Sequence, residues 1–422
     1  MTRFPAAVLV STVALIACSA PARAQAPGRP PAPAAINPVK VDEAVEKGAK
    51  YLLAQIPHGF TDYGVAHNDK DWPGQNSGEL VLYTLIFSGI DLNNPAYLDL
   101  FNKSMAQPPQ HTYEAALRGM ALEALDREKF REGIAECAQY LVDNQCKNGQ
   151  WGYGEPMEKS PHTWTPDPAK PVTFSTGGAS TAAKDGGVGG SVTGHDKPSS
   201  SSSSSPGGTH ATKAVKKIPI ARRKDGPAGG DNSNTQYALL GLRACLDAGI
   251  AIPADVLPLA EGWWIKDQKG ANDVKKDGGW GYSFGGRPGL RAAPSGAMVA
   301  GGISSIAICC AYTNRPWKAH PSLVKGVAWL INNYAIDKHP DNQDDKRKWL
   351  YYFLYSLERA GVLSSLEKFG PHEWYPEGAQ YILSNQKPDG SWADDFDPVA
   401  ETCFAILFLR RATKALPKTY TH

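Results

Sequence analysis

Two kinds of apolar segment alternate along this chain. In one kind, apolar positions recur every three or four residues, near 41–56, 94–106, 129–146, 254–267, 320–336 and 373–386. That is the spacing of helices with one buried stripe. In the other kind, near 77–89, 111–126, 232–249, 296–312, 346–361 and 398–412, apolar residues run almost all round. Thr235-Gln-Tyr-Ala-Leu-Leu-Gly-Leu-Arg-Ala and Thr402-Cys-Phe-Ala-Ile-Leu-Phe-Leu-Arg-Arg share this cadence, which implies burial on both sides. Strand signals are scarce, so the pattern predicts an all-α protein. Six inner helices ringed by six outer ones close into an (α/α)6 toroid, or barrel, hiding the ends that an open solenoid must cap.

The outer segments carry a repeat. Tyr140-Leu141-x3-Gln145-x3-Gly149-x-Trp151 and Tyr381-Ile382-x3-Gln386-x3-Gly390-x-Trp392 match at identical spacing. Trp263-Trp264-x3-Gln268 reaches Gly278-Gly279-Trp280 after six extra residues, and Lys47-Gly48-x2-Tyr51-Leu52 and Lys325-Gly326-x2-Trp329-Leu330 hold the first half. Glutamine at a helix end can cap carbonyls or reach the next turn, glycine permits positive φ at the stop, and tryptophan fills the gap beside the adjacent helix. All of this is consistent with scaffold.

On these residues the sequence resembles the terpenoid cyclase and protein prenyltransferase superfamily, whose α/α toroids carry QW repeats. It is nearer to the squalene–hopene cyclase-like repeat proteins than to the prenyltransferases. The resemblance covers roughly 41–154 and 231–415. It implies the toroid fold, while the repeat itself is structural in that family. Squalene–hopene cyclases protonate an alkene with an Asp-x-Asp-Asp-Thr motif at the start of an inner helix, the middle aspartic acid donating the proton. Aligned on Thr235, this chain reads Asp231-Asn232-Ser233-Asn234-Thr235, with Ser233 in the acid position. A serine cannot supply that proton. The prenyltransferase branch implies a zinc site with an Asp-x-Cys spacing, and macroglobulin-type toroids a Gly-Cys-Gly-Glu-Gln thioester; the sequence contains neither.

In a toroid the functional cavity lies on the axis, at the ends of the inner helices. The candidate catalytic residues are therefore Asp231, Asp397 and Glu401, the acids at the starts of inner helices three and six. Candidate ligand-binding residues are His111, Glu114, Asn234, Trp280 and Tyr282. Each has a plainer reading: Asp231 and Asp397 as helix caps, Glu401 as a favourable first-turn charge, His111 as a helix start, Glu114 as the i,i+4 ion-pair partner of Arg118, and Trp280 with Tyr282 as turn scaffold. Asp394 and Asp395 precede inner helix six, and the pair Asp344-Asp345 lies in a hydrophilic stretch that reads as a solvated loop.

Composition adds compartment and linkers. The 422 residues hold 44 Lys+Arg against 42 Asp+Glu, with no basic run in a folded segment to call for a nucleic-acid partner. Arg3, an apolar stretch from Ala6 to Ala17 and Ala22-Arg23-Ala24 read as an export signal over 1–24, giving a periplasmic or extracellular protein. Leu15-Ile16-Ala17-Cys18 reads alternatively as a lipobox with a signal over 1–17, and only lipidation at Cys18 would bring peripheral membrane association. Residues 25–40 form a Pro/Ala linker, and the single toroid domain 41–422 is interrupted by a low-complexity insertion at 155–230 with 12 Gly, 9 Pro and the run Ser199 to Ser205. Its basic end, 213–224, reads as a solvated tether. Six further cysteines show no zinc spacing and read as small buried hydrophobes, so neither metal nor cofactor is expected. Three functions stay open: axial binding of an apolar ligand or a protein partner without turnover, a cyclase-like enzyme on a polyisoprenoid with a changed acid, and a glycan-active lyase or hydrolase.

Overall fold

The computed structural model describes residues 35–58, 77–166, 172–174, 217–269, 277–282, 293–340, 349–393 and 397–417. Among them are twelve α-helices: α1 (Pro38–Gln55), α2 (Ser77–Ser88), α3 (Pro95–Met105), α4 (Thr112–Asp126), α5 (Arg131–Asp143), α6 (Asn232–Asp247), α7 (Val256–Asp267), α8 (Gly296–Tyr312), α9 (Pro321–Asn332), α10 (Leu350–Ser364), α11 (Trp374–Ser384) and α12 (Pro398–Leu409). The even-numbered helices pack in sequence, α2 on α4, α4 on α6, α6 on α8, α8 on α10 and α10 on α12, and α12 returns to α2. This closes the inner ring of an all-α toroid. The odd-numbered helices lie outside: α1 against α12 and α2, α5 against α4 and α6, α7 and α9 against α8, α11 against α10 and α12.

Burial follows the two sequence patterns. Every residue of α10 and Gly296 to Ala311 of α8 are buried, whereas α9 buries Ser322, Leu323, Gly326, Trp329 and Leu330 on one stripe and leaves Val324 and Ile331 in solvent. No described helix is long and apolar enough to cross a membrane.

The outer repeat forms the seam between successive outer helices. The tryptophan indoles donate to the carbonyl of the residue after each repeat's aromatic: Trp151 to Leu141 (2.7 Å), Trp280 to Trp264 (2.7 Å) and Trp392 to Ile382 (2.8 Å). The glutamines reach into the start of the next outer helix: Gln145 Nε2 donates to Val256 O, Gln268 Nε2 to Ser322 O and Gln386 Nε2 to Ala44 O, each at 2.8 Å. The last of these joins α11 to α1 and closes the outer ring. Gly149 and Gly390 sit at φ +95 and +90, where a Cβ would lie 2.2 Å from Leu259 O and 2.6 Å from Lys47 O. Glycine is needed there for both the backbone angle and the close approach.

The insertion departs from the expected tether at both ends. Trp164 packs edge-on to Phe130 (4.9 Å between centroids), and Phe174 packs on Phe101 (5.3 Å). Ile218–Pro219 pairs in parallel with Ile250–Ala251. Arg222 pairs with Asp255 (3.0 Å), Arg223 with Asp143 (2.7 Å) and Lys224 with Glu155 (2.7 Å). The basic end thus docks on α5 and α7 because acids there offer partners. At the other boundary, α1 begins at Pro38, capped by Asn37, inside the stretch read as linker. The proposed export signal with Cys18, and the acids Asp344, Asp345, Asp394 and Asp395, lie outside the described residues.

Candidate functional site

The first turns of three inner helices meet on the axis. Ser233 of α6 shares a short hydrogen bond with the Tyr113 hydroxyl of α4, and its Oγ lies 2.9 Å from the Tyr352 hydroxyl of α10. These three side chains keep traces of accessibility, at 9%, 8% and 8% for Tyr113, Ser233 and Tyr352. One turn deeper, Gln236 Nε2 donates to the Tyr352 oxygen (2.6 Å), and its Oε1 accepts from Arg359 Nη2 (3.3 Å). Arg359 is 0% exposed. It also donates to Ser356 Oγ (2.8 Å), and its guanidinium lies 4.2 Å from the Tyr355 ring centroid and 5.0 Å from that of Tyr237. No described carboxylate lies within ion-pair distance of it. Glu358, which acts on it through space, is held instead by the backbone N–H and hydroxyl of Thr413.

Burial raises the phenols of Tyr113, Tyr237, Tyr352 and Tyr355, so all four are neutral hydroxyls at physiological pH. Burial opposes the charge of Arg359, but the surrounding tyrosines and Glu358 more than offset it and leave its pKa raised. The far end of the axis is closed by the chain after α12. Thr413 is held by Glu358, and Arg243 Nη1 donates to Lys414 O (2.5 Å). Burial pushes Glu358 up to about 7.

Three of the sequence candidates gather at the mouth with Ser233. Asp231 caps α6, accepting from Asn234 N and Asn234 Nδ2 at 2.8 Å each. Burial pushes its carboxyl up to about 6 against these bonds and one from Tyr282. Asp231 also acts electrostatically on Tyr113, which places it beside the hydroxyl cluster. The buried Asn234 Oδ1 has no hydrogen-bond partner. His111 begins α4 at the same end, half-buried, without capping the helix; its Nδ1 has no partner.

The remaining candidates fall elsewhere. Trp280 is wholly buried in the seam, where it fills the space beside Gly302 and Gly326; it is scaffold, not an axial contact. Glu114 binds Arg118, which also pairs with Glu79 (3.3 Å), in a buried cluster; its Oε2 accepts from Gln110 N (2.8 Å). Glu79 is pushed up to about 7 by burial, with the charge of Glu114 adding. Asp397 caps α12 through Val399 N (2.9 Å) and acts on Tyr51 of α1, towards the outer ring. Burial raises its pKa. Glu401 is buried in the first turn of α12. Asp231 and Asp397 therefore occupy different helices and different environments, and the carboxylate pair that glycan hydrolysis wants is not assembled by these two acids.

Sequence reasoning missed Tyr113, Gln236, Tyr352 and Arg359. The available signal was a pair of charges, Glu358-Arg359, inside a helix otherwise apolar all round. A second polar cluster, Glu261, Cys310 and His320, has ligand atoms within 4.8 Å of one another. However, Arg315 already binds Glu261, and His320 Nδ1 accepts from Ser322 N (3.2 Å), which leaves Nε2 as the protonated nitrogen facing Glu261. That tautomer is an ion-cluster donor and not a metal ligand.

No protein-family model and no curated protein matches the chain. Among solved structures, a type II terpene cyclase from Scytonema, in complex with geranylgeranyl dihydroxybenzoate, is similar at 11% identity and a TM-score of 0.48, over 89% of this chain and 97% of that one.

Proposed function

We propose that this chain is an exported toroid that binds an apolar ligand at the mouth of its axis without the cation chemistry of a cyclase. The observation that carries the reading is Ser233 in the acid position, its hydroxyl engaged by Tyr113 and Tyr352. Arg359 supports it. Its guanidinium occupies the faces of Tyr237 and Tyr355, the kind of surface that would otherwise stabilise a carbocation. A second positive charge about 6 Å away would be opposed by about 3 kcal/mol at an effective dielectric near 20.

The test is incubation with acyclic polyisoprenoids, followed by mass spectrometry of retained and released molecules. Ligand retained unchanged is the expected result. Cyclised product that vanishes in Asp231→Asn would replace this reading with a cyclase using a changed acid. That second reading draws on the burial of Asp231 and a carboxyl pushed up to about 6 beside Tyr282. N-terminal sequencing of the secreted protein tests export, and detection of a lipid on Cys18 tests anchoring.

A further inference from the structure

We infer that the axial mouth receives its ligand by an oxyanion, a carboxylate carried on an apolar chain, at the hydroxyls of Tyr113, Ser233 and Tyr352. This rests on the axial-binding reading above and names the ligand class.

The direction of the hydrogen bonds makes the case. A guanidinium has only donors, so the Gln236 oxygen must face Arg359 and its Nε2 must point to Tyr352. The Tyr352 oxygen thereby accepts, and its own proton is directed to Ser233; the Ser233 proton then goes to Tyr113. The chain begins at a buried cation and ends at a hydroxyl whose proton is left for an acceptor. Each bond polarises the next in the same sense.

Charge selects within the acceptors. Arg359 supplies one positive charge to the axis with no described carboxylate beside it, and a buried charge without a counter-charge is costly. A single negative charge at the mouth offsets it. A dianionic phosphate fits less well, because Asp231 stands beside Tyr113 and repels further charge. The surroundings of the hydroxyls suit an apolar chain: the Trp349 and Phe404 rings lie 6.1 and 5.4 Å from that of Tyr352.

The experiment titrates the full chain with dodecanoate, methyl dodecanoate, dodecylamine and dodecane, following intrinsic tryptophan fluorescence and calorimetry. Dodecanoate is expected to bind about tenfold more tightly than its ester, as charge-assisted hydrogen bonds exceed neutral ones, with the amine weakest. Tyr113→Phe and Tyr352→Phe should each pull the acid-to-ester ratio towards one, and Asp231→Asn should tighten dodecanoate several-fold by removing a like charge. Two variants at separate positions keep the test open if one fails to fold. An ester that binds as tightly as the acid, or a preferred amine, overturns the oxyanion assignment. Dodecane binding without dodecanoate binding overturns it alone, whereas failure of all four removes the axial-binding reading as well.

Discussion

The outer seam and the axis are built from the same residue types to opposite ends. In the seam, glutamine and tryptophan side chains satisfy backbone carbonyls, one bond per group, and the unit recurs around the ring. On the axis, tyrosine, serine, glutamine and arginine side chains satisfy one another in a single unrepeated chain. Side chains that bond backbone fix where helices lie. A network among side chains fixes little of the fold, and every member depends on its neighbours. The seam thus carries architecture, and the axis has freedom to carry recognition.

The sharpest way to break this contrast is Trp151→Ala. Trp151 is wholly buried, and its backbone N–H and indole are both bonded, to Thr235 Oγ1 (3.0 Å) and Leu141 O (2.7 Å). Truncation should cost about 3–5 kcal/mol, read as a fall in the denaturant midpoint. If Trp151→Ala proves as mild as Tyr113→Phe, the division of labour between seam and axis is wrong.

Gln386→Ala should act at one joint. Gln386 Nε2 bridges Ala44 O (2.8 Å) and Gly390 O (3.0 Å), so the change leaves the carbonyl that ties α11 to α1 unpaired. The expected loss is about 1–3 kcal/mol, with amide exchange accelerated first in α1. Acceleration spread evenly over all outer helices would show that the ring does not close at this joint.

The contrast also explains what the sequence could say. The helices were legible because periodicity reports burial directly, and the seam because its glycines and tryptophans recur at fixed spacing. Within the site, Asp231, Asn234 and Tyr282 were legible as polar residues at or near a helix start. Tyr113 and Tyr352 were not, since a phenol on an apolar helix reads as core until its hydroxyl is seen to face another. Trp280 erred in the other direction: an aromatic beside a glycine turn suits a ligand and a seam equally, and only the indole bond to Trp264 decides. The docked ends of the insertion were hidden by composition, because Arg222 and Arg223 reveal their partners, Asp255 and Asp143, only in three dimensions.

The smallest effect expected is at the closed end of the axis and concerns pH. Burial pushes Glu358 up to about 7 in the folded chain, above the ordinary glutamate value of 4.5. The folded state therefore holds this proton where the unfolded state has lost it. The stability it contributes is fully present below about 4.5 and is lost as pH rises through about 7, because stability falls with pH wherever the folded state binds more protons. Glu79, pushed up to about 7 beside Glu114, adds to the same slope. Thermal midpoints measured from pH 5 to pH 8 should decline across this window in the wild type. Glu358→Gln should flatten the decline, since a neutral amide can still accept from Thr413 but no longer titrates. An unchanged slope in Glu358→Gln would assign the pH dependence to the Glu79–Glu114–Arg118 cluster, between the inner helices and the outer ring, and leave the closed end of the axis electrostatically silent.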